Sequence, residues 1–288
     1  MYLNSIVSYQ AADYTMQEPR SDFIEYCNDL HRVSGGFFHP SFLKNKAGFS
    51  FSELFDALAF YYPTVLTDCR SADYSIVVHA AAEYDPLYSH IHPYLAQQYA
   101  IHCDSVDIAE QGILSVVTAL HLLNAFFESK KIHRAMILGF DQCCLPVTCH
   151  AQPILPALNG VALLSLSRVF NVDTVNLKCL HAEMVIITDF ETHIAQFVLQ
   201  LQQQYQTVQH VEIFCYFLTT SPGEKNSFQI LSGLKLLKHK LNYGVTSLFL
   251  FLDQLQKAAM LHASGTVYAL FIEDAQMGEQ GLVVFKKE

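Results

Sequence analysis

The chain has 288 residues, 51% of them hydrophobic and 15% charged, with 17 Lys+Arg against 27 Asp+Glu for a net charge of −10. That length allows a large buried core in one big α/β domain or in two fused halves. No stretch collects the run of basic residues that tracks a phosphate backbone, which argues against nucleic-acid binding. The first twenty residues carry neither the basic region nor the apolar core of a secretory signal, and the apolar stretch Ile113–Phe127 is interrupted by Ser115, Thr118, His121 and Asn124 and is shorter than a bilayer. The expectation is a cytoplasmic protein, not a membrane protein, whose eight cysteines stay thiols.

In chain order, Leu3–Tyr9 reads as a first strand, followed by a polar, aromatic region over residues 10–46 with turn signals at Gly35, Gly36 and Pro40. Phe49–Tyr62 places Phe51, Leu54, Phe55, Leu58 and Ala59 at helical spacing, and Pro63 ends it. Tyr74–Ala80 is a buried strand, His92–Tyr99 a short helix and Cys103–Ile108 a further strand. Gly112–Lys130 is a helix apolar on nearly every face, which belongs between two sheets. Strands at Arg134–Phe140 and Gly160–Leu166 follow. The order then repeats: strand material at Val175–Thr188, a helix at His193–Gln204, a strand at Val211–Phe217, a helix at Ser227–Leu241 and a strand at Ser247–Leu252. A short helix over Asp253–His262 precedes strands at Val267–Ile272 and Gly281–Phe285. Two tandem copies of one strand-and-helix order indicate an internally duplicated α/β fold, with halves at 1–168 and 169–288.

The stretch Cys103–Asp141 resembles the nucleophile segment of the thiolase superfamily, most closely the ketoacyl-acyl-carrier-protein synthase III branch. In that pattern a strand ends in Asp, a cysteine follows five steps later at the start of a buried helix, and the next strand closes on Gly-x-Asp. Asp107, the Gly112–Lys130 helix and Gly139-Phe140-Asp141 carry the likeness. The upstream segments Phe51–Tyr62, Asp73–Ala80 and Tyr94–Ala100 fall in the matching order. The resemblance implies a five-layer αβαβα thiolase-like duplicated fold with a degenerate second half.

It also implies a cysteine whose thiolate is favoured by a helix N-terminus, and a His and an Asn, or two His, that stabilise the developing oxyanion. Counting five from Asp107 reaches Gly112, which has no side chain to acylate, and neither Gln111 nor Ile113 would serve. Threading the second half puts Tyr216 at the place of the catalytic His, and Leu255 and Lys257 at the His and Asn of the family's His-Gly-Asn turn. Synthase III enzymes commonly stack the coenzyme A adenine on an early Trp, and this chain has none. No catalytic set of the family type and no cofactor are therefore expected, and the final helix, read as Asp253–His262, is shorter than the family's.

Other candidates are weaker on chemical grounds. Cys143, Cys144, Cys149 and His150 have a spacing that matches no structural zinc pattern and read as a thiol-rich loop. His90 and His92 flank a loop beside Pro93 and read as solvated. Cys103 and Cys215, each inside a predicted strand with apolar neighbours, read as inert core thiols.

The resemblance implies a dimer formed along the strand before the nucleophile, here Cys103, Asp104, Ser105, Val106, Asp107 and Ile108. A fold kept with its chemistry lost points to a non-catalytic subunit partnered by an active synthase III-like chain in specialised acyl or polyketide metabolism, reaching an acyl carrier protein through that partner. The subunit it resembles most is the cysteine-less one of bacterial heterodimeric alkylquinolone synthases. The alternatives are a homodimeric acyl- or coenzyme-A-binding regulatory protein and an enzyme using a thiol outside the family pattern.

Overall fold

The computed structural model describes residues 1–11, 21–33, 49–80, 91–109, 111–129, 131–143, 156, 158–170, 175–185, 196–197, 199–201, 203, 212–220, 236–241, 244–275 and 278–288. The first half comprises β1 (Tyr2–Ala11), α1 (Ser21–Val33), α2 (Phe51–Tyr61), α3 (Val65–Arg70), β2 (Tyr74–His79), α4 (Ile91–Tyr99) and β3 (Asp104–Ala109). A 3-10 turn at Gly112–Leu114 then leads into α5 (Ser115–Glu128), β4 (Arg134–Asp141) and β5 (Asn159–Ser167). The second half holds β6 (Leu177–Val185), helical residues at 196–197, 199–201 and 203, β7 (Ile213–Thr219), β8 (Leu236–Lys240), α6 (Val245–Ala259), β9 (Val267–Asp274) and β10 (Glu279–Lys287).

The ten strands form one sheet in the order β3-β2-β4-β5-β1-β6-β10-β9-β7-β8. Read inward from either end, the two halves show the same order, each strand number raised by five. Pairing matches as well. In the first half β2 runs parallel to β3 and β4, and β5 is antiparallel to β1 and β4. In the second, β7 runs parallel to β8 and β9, and β10 is antiparallel to β6 and β9. The halves join where Tyr2 and Leu3 pair with Lys178 and Leu177.

Among the described residues, alternation along the strands separates three cores. Ile76, Val78, Ile137 and Leu164 of the first half, with Leu270, Ile272, Val283 and Phe285 of the second, face α5 and α6 in one central cluster. Val77, Met136, Leu138 and Leu163 face the opposite way, onto α2 and α4. Phe271, Leu282 and Val284 pack with Leu201 on the outer face of the second half. This is the layered αβαβα arrangement, with α5 and α6 as the middle layer. Each middle helix reaches across: α5 also packs on β6 and β10, and α6 on β1, β4 and β5.

Local chemistry explains several boundaries. Ser50 caps α2 by accepting the Glu53 amide at 3.1 Å, while the Glu53 carboxylate accepts the Ser50 amide at 2.8 Å, a complete capping box. The segments Ser247–Leu252 and Asp253–His262 differ from the expected strand and short helix, because both belong largely to the fifteen-residue helix α6. Joined, Val245, Leu248, Phe249, Leu252, Leu255 and Ala259 form one buried helical face. The expected helix Ser227–Leu241 is also corrected where it can be compared: residues 236–240 are strand β8, and residues 227–235 lie outside the described ones. The turn signals at Gly35, Gly36 and Pro40 also lie outside them.

The start of α6 is held by the other half. Asp141, buried at the end of β4, accepts the amides of Val245 and Thr246 at 2.8 Å each and also the Thr246 hydroxyl. Gly244 enters this turn at φ +140°, and a Cβ there would lie 2.6 Å from Asp141 Oδ2, so only glycine admits the carboxylate. Gly139 serves the same contact, since a Cβ on it would stand 2.7 Å from the Phe249 ring. Burial pushes the Asp141 carboxyl up to about 6, against the opposing pull of the bonds from Thr246 and Val245.

Asp141→Ala should cost about 2–4 kcal/mol in urea unfolding, because two buried amides lose their acceptor. With its carboxyl raised in the native state, the native protein holds a proton that the unfolded chain gives up near pH 4, so this group's contribution falls as pH rises from about 4 to about 6. The loss is on the order of 3 kcal/mol, and Asp141→Asn, which cannot ionise, should lack that part of the pH slope.

Candidate functional site

The position matched to the nucleophile lies at the entry to the central helix. Gly112 is buried, has φ +53°, and begins the 3-10 turn that leads into α5. Its carbonyl accepts the Ser115 hydroxyl at 2.9 Å, and Gln111 beside it accepts the Thr118 hydroxyl at 2.7 Å. Ile113, the next residue, is fully buried. No side chain therefore projects from Gly112 itself, and its neighbours are committed to packing and capping.

The positive end of this helix faces a carboxylate. Asp274, buried at the end of β9, accepts the Ile113 amide at a long 3.4 Å and the Thr220 hydroxyl at 3.4 Å. Thr220 accepts the Ala275 amide at 3.0 Å, and Thr219 donates to Glu273 at 2.9 Å. This mirrors the Asp141 cap: in each half the fourth strand ends in a buried aspartate that meets the amide following a positive-φ glycine at a middle-layer helix. An anion placed there takes the helix dipole that would otherwise favour a thiolate or an oxyanion.

The second-half positions lie elsewhere. Tyr216 is in the middle of β7, half-buried with its ring edge-on to Phe251 at 5.4 Å, and burial raises its hydroxyl's pKa. The strand continues to Thr219, so Tyr216 is not at its end. Leu255 is buried in the central core, and Lys257 is exposed near the end of α6, paired with Asp253 at 2.6 Å. Neither stands on a strand-to-helix turn. Gly244, at φ +140° immediately before α6, marks the entry to that helix, and a glycine two residues after Asn242 was the available signal.

The segment Cys103–Ile108 is brought to the edge of the sheet. β3 pairs only with β2 among the described strands, and Asp104, Ser105, Val106 and Asp107 are exposed while Ile108 is buried. Two sequence readings change at this edge. Cys103 precedes β3 and is partly exposed, and His92 is inside α4, where its Nε2 donates to Asp107 at 2.7 Å. Cys215 is a buried strand thiol whose pKa burial pushes up to about 12.

Among the described residues, Cys143 included, no group of three or more His, Cys, Asp or Glu side chains could hold a metal ion. Cys144, Cys149, His150 and His90 lie outside the described residues. No helix among the described residues is long and apolar enough to cross a membrane.

No protein family's model matches the sequence, and no curated protein matches it. Solved structures do. AbyA1, a tetronic acid condensing enzyme, aligns over 99% of this chain and 100% of its own with a TM-score of 0.58 at 11% identity. ChlB3, named an acyltransferase, aligns over 99% and 97% with a TM-score of 0.59 at 12% identity. A variant of OleA from Xanthomonas campestris aligns over 98% and 96% with a TM-score of 0.51 at 12% identity. At these identities the likeness is one of fold, and it extends over essentially the whole chain: this protein has the mixed α/β fold of the thiolase-like condensing enzymes.

Proposed function

We propose that this chain is the non-catalytic subunit of a heterodimeric, ketoacyl-synthase-III-like condensing enzyme in specialised acyl or polyketide metabolism. The observation that carries the proposal is Gly112. It holds the helix-entry position of a nucleophile with no atom able to accept an acyl group, and Asp274 already lies against the adjacent amide. On the corrected second half, Gly244 keeps the glycine of the family's His-Gly-Asn turn, and the residue after it is Val245, fully buried and without a polar side-chain atom. Such a chain would complete and steady a partner that brings its own Cys, His and Asn, and would meet an acyl carrier protein through that partner.

The edge strand supports a partner of different sequence. β3 carries Asp104 and Asp107 and no Lys or Arg, so pairing with a second copy would align four carboxylates along one short seam. A partner edge with basic side chains relieves that repulsion, and backbone pairing extends the sheet.

Coexpression with an active synthase III-like chain from the same source should give a 1:1 complex by native mass spectrometry. Val106→Glu, which adds a third carboxylate to the exposed edge, should weaken it by about ten-fold or more. A clean homodimer that takes up no such synthase would overturn the proposal. In a separate test, Gly112→Cys should confer no decarboxylation of a malonyl thioester, since the oxyanion-stabilising groups are still missing. Turnover by that variant alone would show that the rest of the site is intact.

A further inference from the structure

Polar side chains outside the Gly112 region converge at the outer face of β2 and β3 beneath α4. Side chains alternate across a strand, so with Ile76 and Val78 turned to the central core, Ser75 faces outward. There a cavity of about 600 Å³, a size that holds a small molecule, is lined by Asp73, Ser75, His92 and Asp104. Leu95, Ile101 and Met136 form its apolar floor, and all three are buried in the outer core shared with α2 and α4. Among the described residues no Lys or Arg lines it.

These polar groups accept more hydrogen bonds than they donate. A carboxylate only accepts, so in the neutral imidazole the 2.7 Å contact to Asp107 Oδ1 places the proton of His92 on Nε2 and leaves Nδ1 as an acceptor. Ser75 is fully buried, and its hydroxyl meets that Nδ1 at 3.5 Å, the outer limit of a hydrogen bond. A hydroxyl has one proton to give and two lone pairs, so Ser75 Oγ stays able to accept. Asp73 takes the amides of His133 and Arg134 at 2.7 and 2.9 Å, both on Oδ2, which holds the carboxylate in place and leaves Oδ1 to accept. Burial works against the Asp73 charge, but the amides of Arg134 and His133 keep its carboxyl below the ordinary range.

We propose that this cavity binds a short-chain primary ammonium, held by the Asp73 and Asp104 carboxylates and the Ser75 and His92 acceptors, with its aliphatic tail on the floor of Leu95, Ile101 and Met136. An ammonium brings one positive charge and three N–H donors, which answers a set of carboxylates and neutral acceptors. The floor residues are almost completely covered, so the apolar area they offer suits a tail of a few carbons and not a long chain.

The charges around the cavity select the sign of the ligand. Burial raises the pKa of the Cys103 thiol, which also lines the cavity, and the charges of Asp104 and Asp73 raise it further, so both carboxylates are felt inside. In a chain of net charge −10, an anion is repelled there and a cation is drawn in. The site does not depend on the proposed heterodimer, because a partner strand pairs in the plane of the sheet while the cavity opens on its outer face.

The test is isothermal titration calorimetry of the full chain with n-butylammonium, butan-1-ol and butanoate. Saturable one-to-one binding of butylammonium is expected, with butan-1-ol weaker by about ten-fold or more, no binding of butanoate, and a loss of ammonium affinity as salt is added. Asp73→Asn and Asp104→Asn should each weaken it by about five-fold. Asp253→Asn, which removes the same charge from α6, should leave it unchanged. Ala96→Phe, which fills the cavity from α4, should abolish binding while circular dichroism shows the fold retained. The inference is overturned if butylammonium does not bind, if butanoate or butan-1-ol binds as tightly, if Asp253→Asn weakens binding as much as Asp104→Asn, or if Ala96→Phe leaves it unchanged.

Discussion

The buried aspartate at the end of the fourth strand of each half is the constraint on which the rest of the structure depends. Asp141 closes on the first amides of α6, and Asp274 on the amide that follows Gly112. Positive φ at Gly112 and Gly244 and the clearance at Gly244 follow from this requirement, while Gly139 and Gly281 admit the close approach of Phe249 and of Leu114 and Val117. A carboxylate taken out of water is costly unless its oxygens are bonded, and a helix start leaves unpaired amides. The two problems solve each other across the layers, so neither central helix can shift without exposing a buried charge or orphaned amides.

The same device separates scaffold from chemistry. A helix entry that holds a thiolate must offer its positive end to that sulfur, whereas here Asp274 approaches it and Gly112 supplies no sulfur. On the proposed reading, the layers, strand order and central helices have been kept while the acylation point is blank. Loss of catalysis need not loosen such a fold, because the residues that lock the layers are not those that would carry the reaction. What is left exposed is the β3 edge, which among the described strands pairs only with β2 and carries Asp104 and Asp107, and this directs attention to assembly.

Much of the fold was legible in the sequence because its strands are short apolar runs bounded by polar turns. β1, β2, β4, β5, β9 and β10 lie where alternation or continuous burial places them. The apolar run Ser247–Leu252 misled for a physical reason: six consecutive mostly apolar residues fit a buried strand and one side of a buried helix equally well. Only its continuation through Leu255 to Ala259 distinguishes the two. The displacement of Leu255 and Lys257 from any turn follows from that misreading. That Gly112 falls five residues after Asp107 was visible by counting, but the carboxylate that accepts the Ile113 amide lies 161 residues from Ile113 and no local pattern announces it. His92 and Asp107 were likewise hidden, since their contact exists only once α4 crosses the outer face of β3.

The central claim is that the scaffold persists without condensing chemistry of its own. The most direct measurement is carbon–carbon bond formation by the purified chain alone, supplied with an acyl thioester and a malonyl thioester and followed by mass spectrometry and release of carbon dioxide. The account predicts no condensed product and no carbon dioxide above the rate without protein. A β-keto thioester formed at multiple turnovers by the isolated chain would contradict it.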